Sequence, residues 1–351
     1  MVGEHTYIGT FLYGKNLYRR KKIFRKYTKW YIEIMKEKGR KKMNIAYLIT
    51  AYVEPEMLAS LVRSLQTENT DFYIHVDKKV KIDPFLKAIC KCKCDCGCIT
   101  FLKEKERINV CWGGYTQVTA QYRLMKKMMD SNRKYDWVIN LTGQDYPVWS
   151  NYKIQIFLQN QLAPVIKGYD LSLLQDERQQ RMLKKFWFFD IYPTILRRIV
   201  NKCAITMQDV FHIERDYRSY GYCFCHGGEY WALPYQIAIK VLAYYENNKQ
   251  LQKFLHTVYA PSEFWVHTVL LSSDILTDSE KERMIVSKDK YKGLIEVAPL
   301  HYFVYEEAIK ILTEKDFENI KNSGKMFVRK VKIGISEQLI TRLDKERNCK
   351  H

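Results

Sequence analysis

The sequence predicts an α/β fold in which a mostly parallel sheet carries helices on both faces. Short apolar runs, suited to buried strands, alternate with stretches of helical spacing between residues 43 and 147. Strands that alternate with helices form βαβ units, and the strands of such units are parallel. The chain has 351 residues, of which 47% are hydrophobic, so it can bury a large core.

Four apolar runs in the first half predict strands. They are NIAYLIT, FYIHVD, ITFL and YDWVINL. Between them, PEMLASLVRSLQ and YTQVTAQYRLMKKMMDS have the spacing of amphipathic helices. In the second helix the pattern predicts that one face is buried, formed by Val118, Tyr122, Met125 and Met129.

The alternation fades after Pro147, and residues 165–225 show no clear period. Further along, GGEYWAL predicts one more strand, and PYQIAIKVLAYYENN, APSEFWVHTVLLSS and LTEKDFENIKNS predict three helices. Ser262 is placed to cap the second of these helices. Thr313 and Asp316 come close to a capping-box pattern at the start of the third.

The positive charge is concentrated at the N-terminus. Residues 1–42 contain 13 Lys/Arg against three Glu, which is +10 of the total formal charge of +19. Tyr, Phe and Trp side chains lie among these charges, a composition that suits an anionic membrane surface or a nucleic acid. The alternatives are a solvated extension, or sequence upstream of a true start at Met43. We therefore divide the chain into an extension (1–42), a domain (43–331) and a C-terminal tail (332–351).

No run approaches the ~18–20 apolar residues of a spanning helix, and no signal peptide is evident. We expect a cytoplasmic protein, with residues 1–42 as a candidate peripheral contact to the inner face of the membrane. A basic nucleic-acid-binding protein is the alternative from another class. Its support is weak because half of the excess charge lies in residues 1–42, and we expect no nucleic-acid partner.

Ten cysteines do not form a disulfide framework. Five of them occupy alternate positions in CKCKCDCGC, between Cys90 and Cys98. Structural zinc sites space paired ligands by two to four residues, whereas a single residue separates these. A thiolate cluster and an incidental reduced loop are the two interpretations, and we predict no bound metal.

Several motifs place polar or aromatic groups where strands and helices begin or end. The strand WVINL is followed by Thr-Gly-Gln-Asp-Tyr-Pro, which includes Asp145 and Tyr146. Ligands of open α/β sheets bind outside the carboxyl ends of the strands. Asp77 ends the strand of IHVDKK, where it could hydrogen-bond a ribose or belong to an ordinary strand exit. Trp112 precedes two glycines, as in a stacking platform or a tight turn.

Two further motifs carry charge. Glu263 in PSEFW is either a general base or a residue that complements a helix dipole. Arg329 and Lys330 in KMFVRKV are either diphosphate ligands or parts of a solvated strand. No Asp-x-Asp and no glycine-rich phosphate fingerprint occurs, so a diphosphate would require fixed cations in place of Mn²⁺ or Mg²⁺.

The order of these motifs is more specific than any one of them. NIAYLITAY, IHVDKK, VCWGGYTQVTA, WVINLTGQDYP, GGEYWAL, PSEFWVHTVLLSS and LTEKDFENIKNSGKMFVRK resemble, in this order, the core-2/I-branching glycosyltransferases, or family 14. That family includes β-1,6-N-acetylglucosaminyltransferases and peptide O-xylosyltransferases. The resemblance covers residues 43–331, and it is to a bacterial member without the membrane anchor of the animal enzymes.

The resemblance implies a GT-A-like fold, in which a Rossmann-type nucleotide-binding sheet merges with an acceptor-binding half. It also implies a metal-independent, inverting transfer from a UDP-sugar to a glycan or lipid-linked acceptor, with β linkage and no cofactor. N-acetylglucosamine is favoured over xylose as the sugar, and a catalytically impaired glycan-binding relative is the remaining alternative. By the same resemblance Glu263 is the catalytic base. The implied nucleotide contacts are Tyr52, Asp77, Trp112, Arg329 and Lys330, and the implied sugar contacts are Asp145, Tyr146, Glu229 and Trp231.

The sequence departs from the family pattern at three places. Tyr52 stands where many relatives have His, and Glu307 lies in the region where animal members have an Arg. The HYFVY stretch, with its His301, replaces the Arg-Tyr-Ile-Asp-Trp of bacterial relatives. We expect Arg329, Lys310 or His301 to supply the missing positive charge.

Overall fold

The computed structural model describes residues 42–91, 98–287 and 291–348. The predicted extension therefore lies outside the described residues, apart from Lys42. From Met43 onwards the chain forms one compact unit.

The strands of the described residues fall into three sheets with the orders β3-β2-β1-β4-β8, β5-β10-β9 and β6-β7. Their bounds are β1 (Ile45–Ala51), β2 (Thr70–Val76), β3 (Ile99–Phe101), β4 (Trp137–Thr142), β5 (Asp145–Pro147), β6 (Gly168–Asp170), β7 (Cys225–Gly227), β8 (Ala232–Pro234), β9 (His301–Tyr302) and β10 (Phe327–Arg329). Strands β1 to β4 pair in parallel, and β8 joins β4 antiparallel at the edge. The predicted mostly parallel α/β sheet is confirmed, with its four strands in the predicted places.

The helices surround these sheets. Their bounds in the described residues are α1 (Pro55–Leu65), α2 (Asp83–Lys91), α3 (Tyr115–Met129), α4 (Asn151–Gln159), α5 (Glu177–Lys184), α6 (Thr194–Val210), α7 (Tyr235–Asn247), α8 (Lys249–Leu255), α9 (Trp265–Ser272), α10 (Asp278–Met284), α11 (Phe317–Asn322) and α12 (Glu337–Asn348).

Both faces of the central sheet are buried. Leu48 and Val138 belong to one hydrophobic cluster, with residues of α3, α7 and α9. Ile49 and Ile139 belong to another, with residues of α1 and α2. Successive side chains of a strand point to opposite faces, so the two clusters lie on opposite sides of the sheet. The continuous apolar runs of β1, β2 and β4 follow from this double burial.

The buried face of α3 differs from the predicted one. Val118 and Met125 are buried as expected, but Tyr122 and Met129 are only partly buried. Gln121, Leu124 and Met128 are buried in addition. The face is therefore rotated towards Gln121, a polar residue whose amide is hydrogen-bonded at both ends inside the protein, as described below.

Predictions about two helical regions and one strand need correction. Ser262 does not cap α9, because residues Pro261–Glu263 form a separate 3-10 turn and the helix begins at Trp265. Residues 165–225, which showed no period, contain the 17-residue helix α6. The GGEYWAL strand shortens to β8. The capping box of Thr313 and Asp316 is present, ahead of α11.

The predicted C-terminal tail is also corrected. Residues 337–348 form α12, and its Leu339 and Leu343 are buried in a cluster with Tyr146 and Val328. The guanidinium of Arg347 donates to the carbonyl oxygens of Ser64 (2.7 Å) and Trp149 (3.0 Å). The helix is thus an integral part of the domain.

Candidate active site

The carboxyl ends of the parallel strands form one edge of the sheet, as predicted for a parallel α/β sheet. The backbone N–H of Asp77 donates to the carbonyl of Ala51 (2.8 Å), which links the end of β2 to that of β1. The N–H of Gly143 donates to the carbonyl of Thr50 (2.9 Å), which links β4 to β1. At this edge the exposed Tyr52 hydroxyl lies 3.4 Å from the amide oxygen of Gln144.

A buried ion pair lies beside this edge. Strand β10 runs antiparallel to β5 in a register that sets Arg329 opposite Asp145. Nη1 of Arg329 lies 3.0 Å from Oδ1 of Asp145 and also donates to the Thr142 hydroxyl. Burial alone raises the pKa of the fully buried Asp145, but the neighbouring His301 and the guanidinium of Arg329 outweigh burial and lower it. Asp145 therefore holds Arg329 in place.

Lys330 follows Arg329 and is half-buried. Its ammonium makes no hydrogen bond or ion pair with any residue within 42–91, 98–287 or 291–348. Burial and the adjacent Arg329 lower the pKa of Lys330. Two neighbouring cations that repel one another favour a bound anion. Lys310, another predicted compensating cation, instead bonds to Asp316 at 2.8 Å.

The sequence places Glu263 in the first turn of a helix. In the structure Glu263 instead ends the 3-10 turn Pro261–Glu263. The turn begins at Ala260, whose φ of +50° is in the left-handed region. The backbone N–H of Glu263 donates to the carbonyl of Ala260 (3.0 Å). The side chain is partly exposed, as a group that meets a substrate must be.

His226 is a site residue that sequence reasoning missed. It lies in β7 and is buried, and its Nε2 is 2.8 Å from Oε2 of Glu263. Its ring stacks on Phe264, with 4.7 Å between ring centroids. An isolated His in CFCHGG has no periodicity or ligand spacing to mark it, so only the fold reveals the pair.

A second carboxylate, that of Glu229, lies next to Glu263. Burial raises the pKa of Glu229 to about 7, the charge of Glu263 adds to this effect, and Arg329 opposes it. Nε2 of Gln121 donates to Oε2 of Glu229 (3.2 Å), and the indole of Trp265 donates to Oε1 of Gln121 (2.6 Å). Gln121 is thus a second missed residue, and it orients Glu229.

Trp112 lies beside the turn that carries Glu263. The carbonyl of Gly113 accepts a hydrogen bond from the N–H of Ala260 (2.9 Å), and the Trp112 ring meets Tyr259 edge-on at 6.0 Å. The indole is 64% exposed and free to stack on a flat ligand. Asp77 is buried near this loop, where its carboxylate accepts from the backbone N–H of Lys79 (2.9 Å).

Three predicted sugar contacts are buried and have no surface that could touch a sugar in this structure. Asp145 is paired with Arg329, as described above. The hydroxyl of Tyr146 bonds to Asp344 at 2.9 Å, within the cluster that includes α12. Trp231 is wholly buried in the main core. These three side chains pack within the fold, whereas Glu229 remains partly exposed.

Within the described ranges, no group of three or more His, Cys, Asp or Glu side chains is placed to hold a metal ion. Cys90 and Cys98 are free thiols, and the cysteines between them lie outside the described residues. In the part of the chain that the structure describes, every helix is too short or too polar to cross a membrane.

An exposed indole, two neighbouring cations and two carboxylates thus belong to one part of this α/β domain, a combination that suits a polar, charged ligand. The chain belongs to the core-2/I-branching enzyme family, whose model matches residues 45–321.

Named relatives are similar to shorter parts of the chain. A human "probable beta-1,3-galactosyl-O-glycosyl-glycoprotein beta-1,6-N-acetylglucosaminyltransferase 7" is 29% identical over 117 residues, which are 33% of this chain and 26% of the relative. The "xylosyltransferase oxt" of Drosophila melanogaster is 26% identical over 148 residues, 42% of this chain and 16% of the relative. The chain thus spans well under half the length of these relatives.

Proposed function

We propose that this protein is an inverting glycosyltransferase. It transfers a sugar from a UDP-sugar to a hydroxyl of a glycan or lipid-linked acceptor and makes a β linkage. The observation that carries the proposal is the partly exposed carboxylate of Glu263, held by His226 near a second carboxylate, Glu229. Arg329 and Lys330 provide positive charge in the same site.

The chemistry assigns one task to each group. Glu263 takes the proton of the acceptor hydroxyl as the oxygen forms its bond to C1 of the donor sugar. The bond between C1 and the diphosphate oxygen breaks, and its electron pair leaves with UDP. One direct displacement inverts the configuration at C1. Arg329 and Lys330 stabilise the developing charge on the leaving diphosphate, which is the role that a divalent ion has in other nucleotide-sugar enzymes.

Tyr52 and Asp77 are proposed to contact the nucleotide because they follow the ends of β1 and β2, where such ligands bind. Trp112 is proposed to do so because its indole is exposed in the loop ahead of α3. Glu229 is proposed to bind a sugar hydroxyl. UDP-N-acetylglucosamine is the favoured donor because the human relative is named an N-acetylglucosaminyltransferase. UDP-xylose is the alternative because the Drosophila relative is named a xylosyltransferase. A cytoplasmic location, with the basic residues 1–42 against the inner membrane face, belongs to the same proposal.

The test is donor hydrolysis and transfer, measured for a panel of UDP-sugars with and without a chelator. Glu263→Gln should fold and bind UDP yet lose turnover by about 10²–10⁴-fold, the usual range for a general base. The matched control is Glu282→Gln, an exposed glutamate of α10. A near-normal rate in Glu263→Gln would exclude the assigned base, and loss of activity with chelator would exclude the metal-free mechanism. UDP binding without any turnover in the parent protein would indicate a catalytically impaired relative.

A further inference from the structure

Helix α6 buries polar side chains and exposes apolar ones, the reverse of an ordinary surface helix. Its two buried side chains, Asn201 and Gln208, are polar. The amide of Asn201 accepts from the N–H of Phe188 (2.8 Å) and donates to its carbonyl (2.7 Å). Gln208 does the same with Phe186, at 2.7 and 3.0 Å. These four hydrogen bonds satisfy the buried amides and fix the rotation of the helix about its axis.

The opposite face of α6 is apolar and exposed. Ile195 is 70% exposed, Ile199 58% and Val210 65%. At 100° per residue these three side chains fall within about 60° of one another around the helix axis. Exposed apolar side chains next to the stripe enlarge it: Leu196, Met207, Phe211 and Ile213. The exposed Thr206 also lies on this side, so the surface is mostly, not wholly, apolar. A large exposed apolar surface of this kind marks a contact with a partner or a membrane.

The flank of the stripe identifies the partner. Arg198 and Lys202 are exposed on one side of it, and neither forms an ion pair with a residue of the described ranges. The one acidic residue of α6, Asp209, is neutralised by Arg181 and Lys185. A second copy of the chain on this face would bring like charges together. An anionic lipid surface accepts both the apolar stripe and the cations.

We propose that α6 lies in the plane of an anionic lipid bilayer. Ile195, Ile199 and Val210 insert among the acyl chains at the headgroup boundary, and Arg198 and Lys202 contact lipid phosphates. The helix has 17 residues, so the stripe is roughly 25 Å long at 1.5 Å per residue.

The inner side of α6, opposite the docking face, contacts the candidate active site. On the inner side of α6, Nη1 of Arg197 donates to the carbonyl of Trp112 (3.3 Å). Asp190, just ahead of the helix, accepts from the backbone N–H groups of Tyr115 (2.9 Å) and Thr116 (3.0 Å) at the start of α3. A bilayer against the outer face of α6 therefore lies about one helix diameter, roughly 10 Å, from the loop of Trp112, which favours a lipid-linked acceptor. This last step rests on the proposed function, whereas the docking itself does not.

The test is flotation of the full chain with vesicles of phosphatidylcholine alone or with 30% phosphatidylglycerol. The double variant Ile199→Glu/Val210→Glu should lower partitioning onto the anionic vesicles by about 100-fold, roughly tenfold per apolar group lost. Leu162→Glu is the control, since Leu162 is 87% exposed and lies outside α6. Arg198→Gln/Lys202→Gln should lower binding by about fivefold per charge.

The basic residues 1–42 could also hold the chain on anionic vesicles. The same measurements at about 0.5 M salt separate the two contacts, because salt screens exposed charges but does not weaken apolar insertion. At this salt concentration the parent should still bind the anionic vesicles, and the Ile199→Glu/Val210→Glu variant should not. Equal binding by the parent and the Glu variant at high salt, or no parent binding at either salt, overturns the proposal. Self-association of the parent that the Glu variant abolishes, without vesicle binding, would assign this face to contacts between copies. Donor hydrolysis, assayed without vesicles, tests the proposed function separately.

Discussion

Nε2 of His226 lies 2.8 Å from Oε2 of Glu263, and the imidazole is buried while the carboxylate is partly exposed. A donor on a rigid strand thus fixes the direction of a carboxylate on a short turn. His226 touches no substrate in this arrangement and acts through Glu263, as a positioning residue. Such support is what keeps a catalytic group within a fraction of an ångström of its productive position.

Replacement of His226 by Phe should lower kcat by about 10- to 100-fold, because the variant keeps the stack on Phe264 but leaves Glu263 unoriented. KM for the UDP-sugar should change little, since His226 has no part in donor binding. The conservative variant His226→Gln retains an N–H donor and should recover part of the loss. Steady-state kinetics of both variants test this, and an unchanged kcat in His226→Phe would assign the residue to packing alone.

Stability should fall as the pH rises through neutrality because of Glu229. Its pKa is raised from the ordinary 4.5 to about 7 in the folded protein. Between these values the native state binds more protons than the unfolded state, so the stabilisation present below pH 4.5 is lost as the pH rises through about 7. The free energy of unfolding should drop with a slope of up to about 1.4 kcal/mol per pH unit. Urea denaturation between pH 5 and 8 should give a flatter profile for Glu229→Gln. A parallel profile for parent and variant would contradict the shifted pKa.

Arg329 and Lys330 should respond differently to the same replacement. Arg329→Met removes the guanidinium paired with the buried Asp145, which should cost about 3–5 kcal/mol of stability. Lys330→Met breaks no ion pair among the described residues, so stability should change by less than about 1 kcal/mol. It should instead weaken UDP binding by about 10- to 100-fold, the value of a charge-assisted contact. Denaturation and calorimetric titration with UDP separate the two effects. Undiminished UDP affinity in Lys330→Met would remove Lys330 from the site.

Helix α12 should contribute to global stability. Leu339 is fully buried, and Leu339→Ala should reduce the free energy of unfolding by about 2–5 kcal/mol. Leu162→Ala, at an exposed position, should stay within about 0.5 kcal/mol. Chemical denaturation measures both. If the two variants were equally stable, α12 would lie outside the cooperative unit.

The first half of the fold was predictable because β1, β2 and β4 are buried on both faces, and such strands are continuous apolar runs. Helix α6 was missed for the opposite reason. Its apolar residues do share one side, but that side is exposed, and Asn201 and Gln208, which bury the other side, are polar residues that do not mark a core face.

The candidate site was predictable only in part. Glu263 and Lys330 were singled out by their motifs, but His226 and Gln121 act through contacts with residues 37 and 108 positions away. Asp145 was expected to meet a sugar because the family resemblance implied it. Its partner Arg329 lies 184 residues away, and a pairing at that distance leaves no trace in local spacing.

The antiparallel pairing of β10 with β5 has a consequence for how the sequence can change. Side chains alternate along a strand, so one residue inserted or deleted between Phe327 and Arg329 would turn the guanidinium to the far side of the ribbon. The three-residue strand therefore has a fixed length, whereas residues added in the turn before it, at Gly324, would leave the register of the pair unchanged. Among proteins with this fold, insertions and deletions should therefore be found before β10 and be absent from Phe327 onwards within the strand.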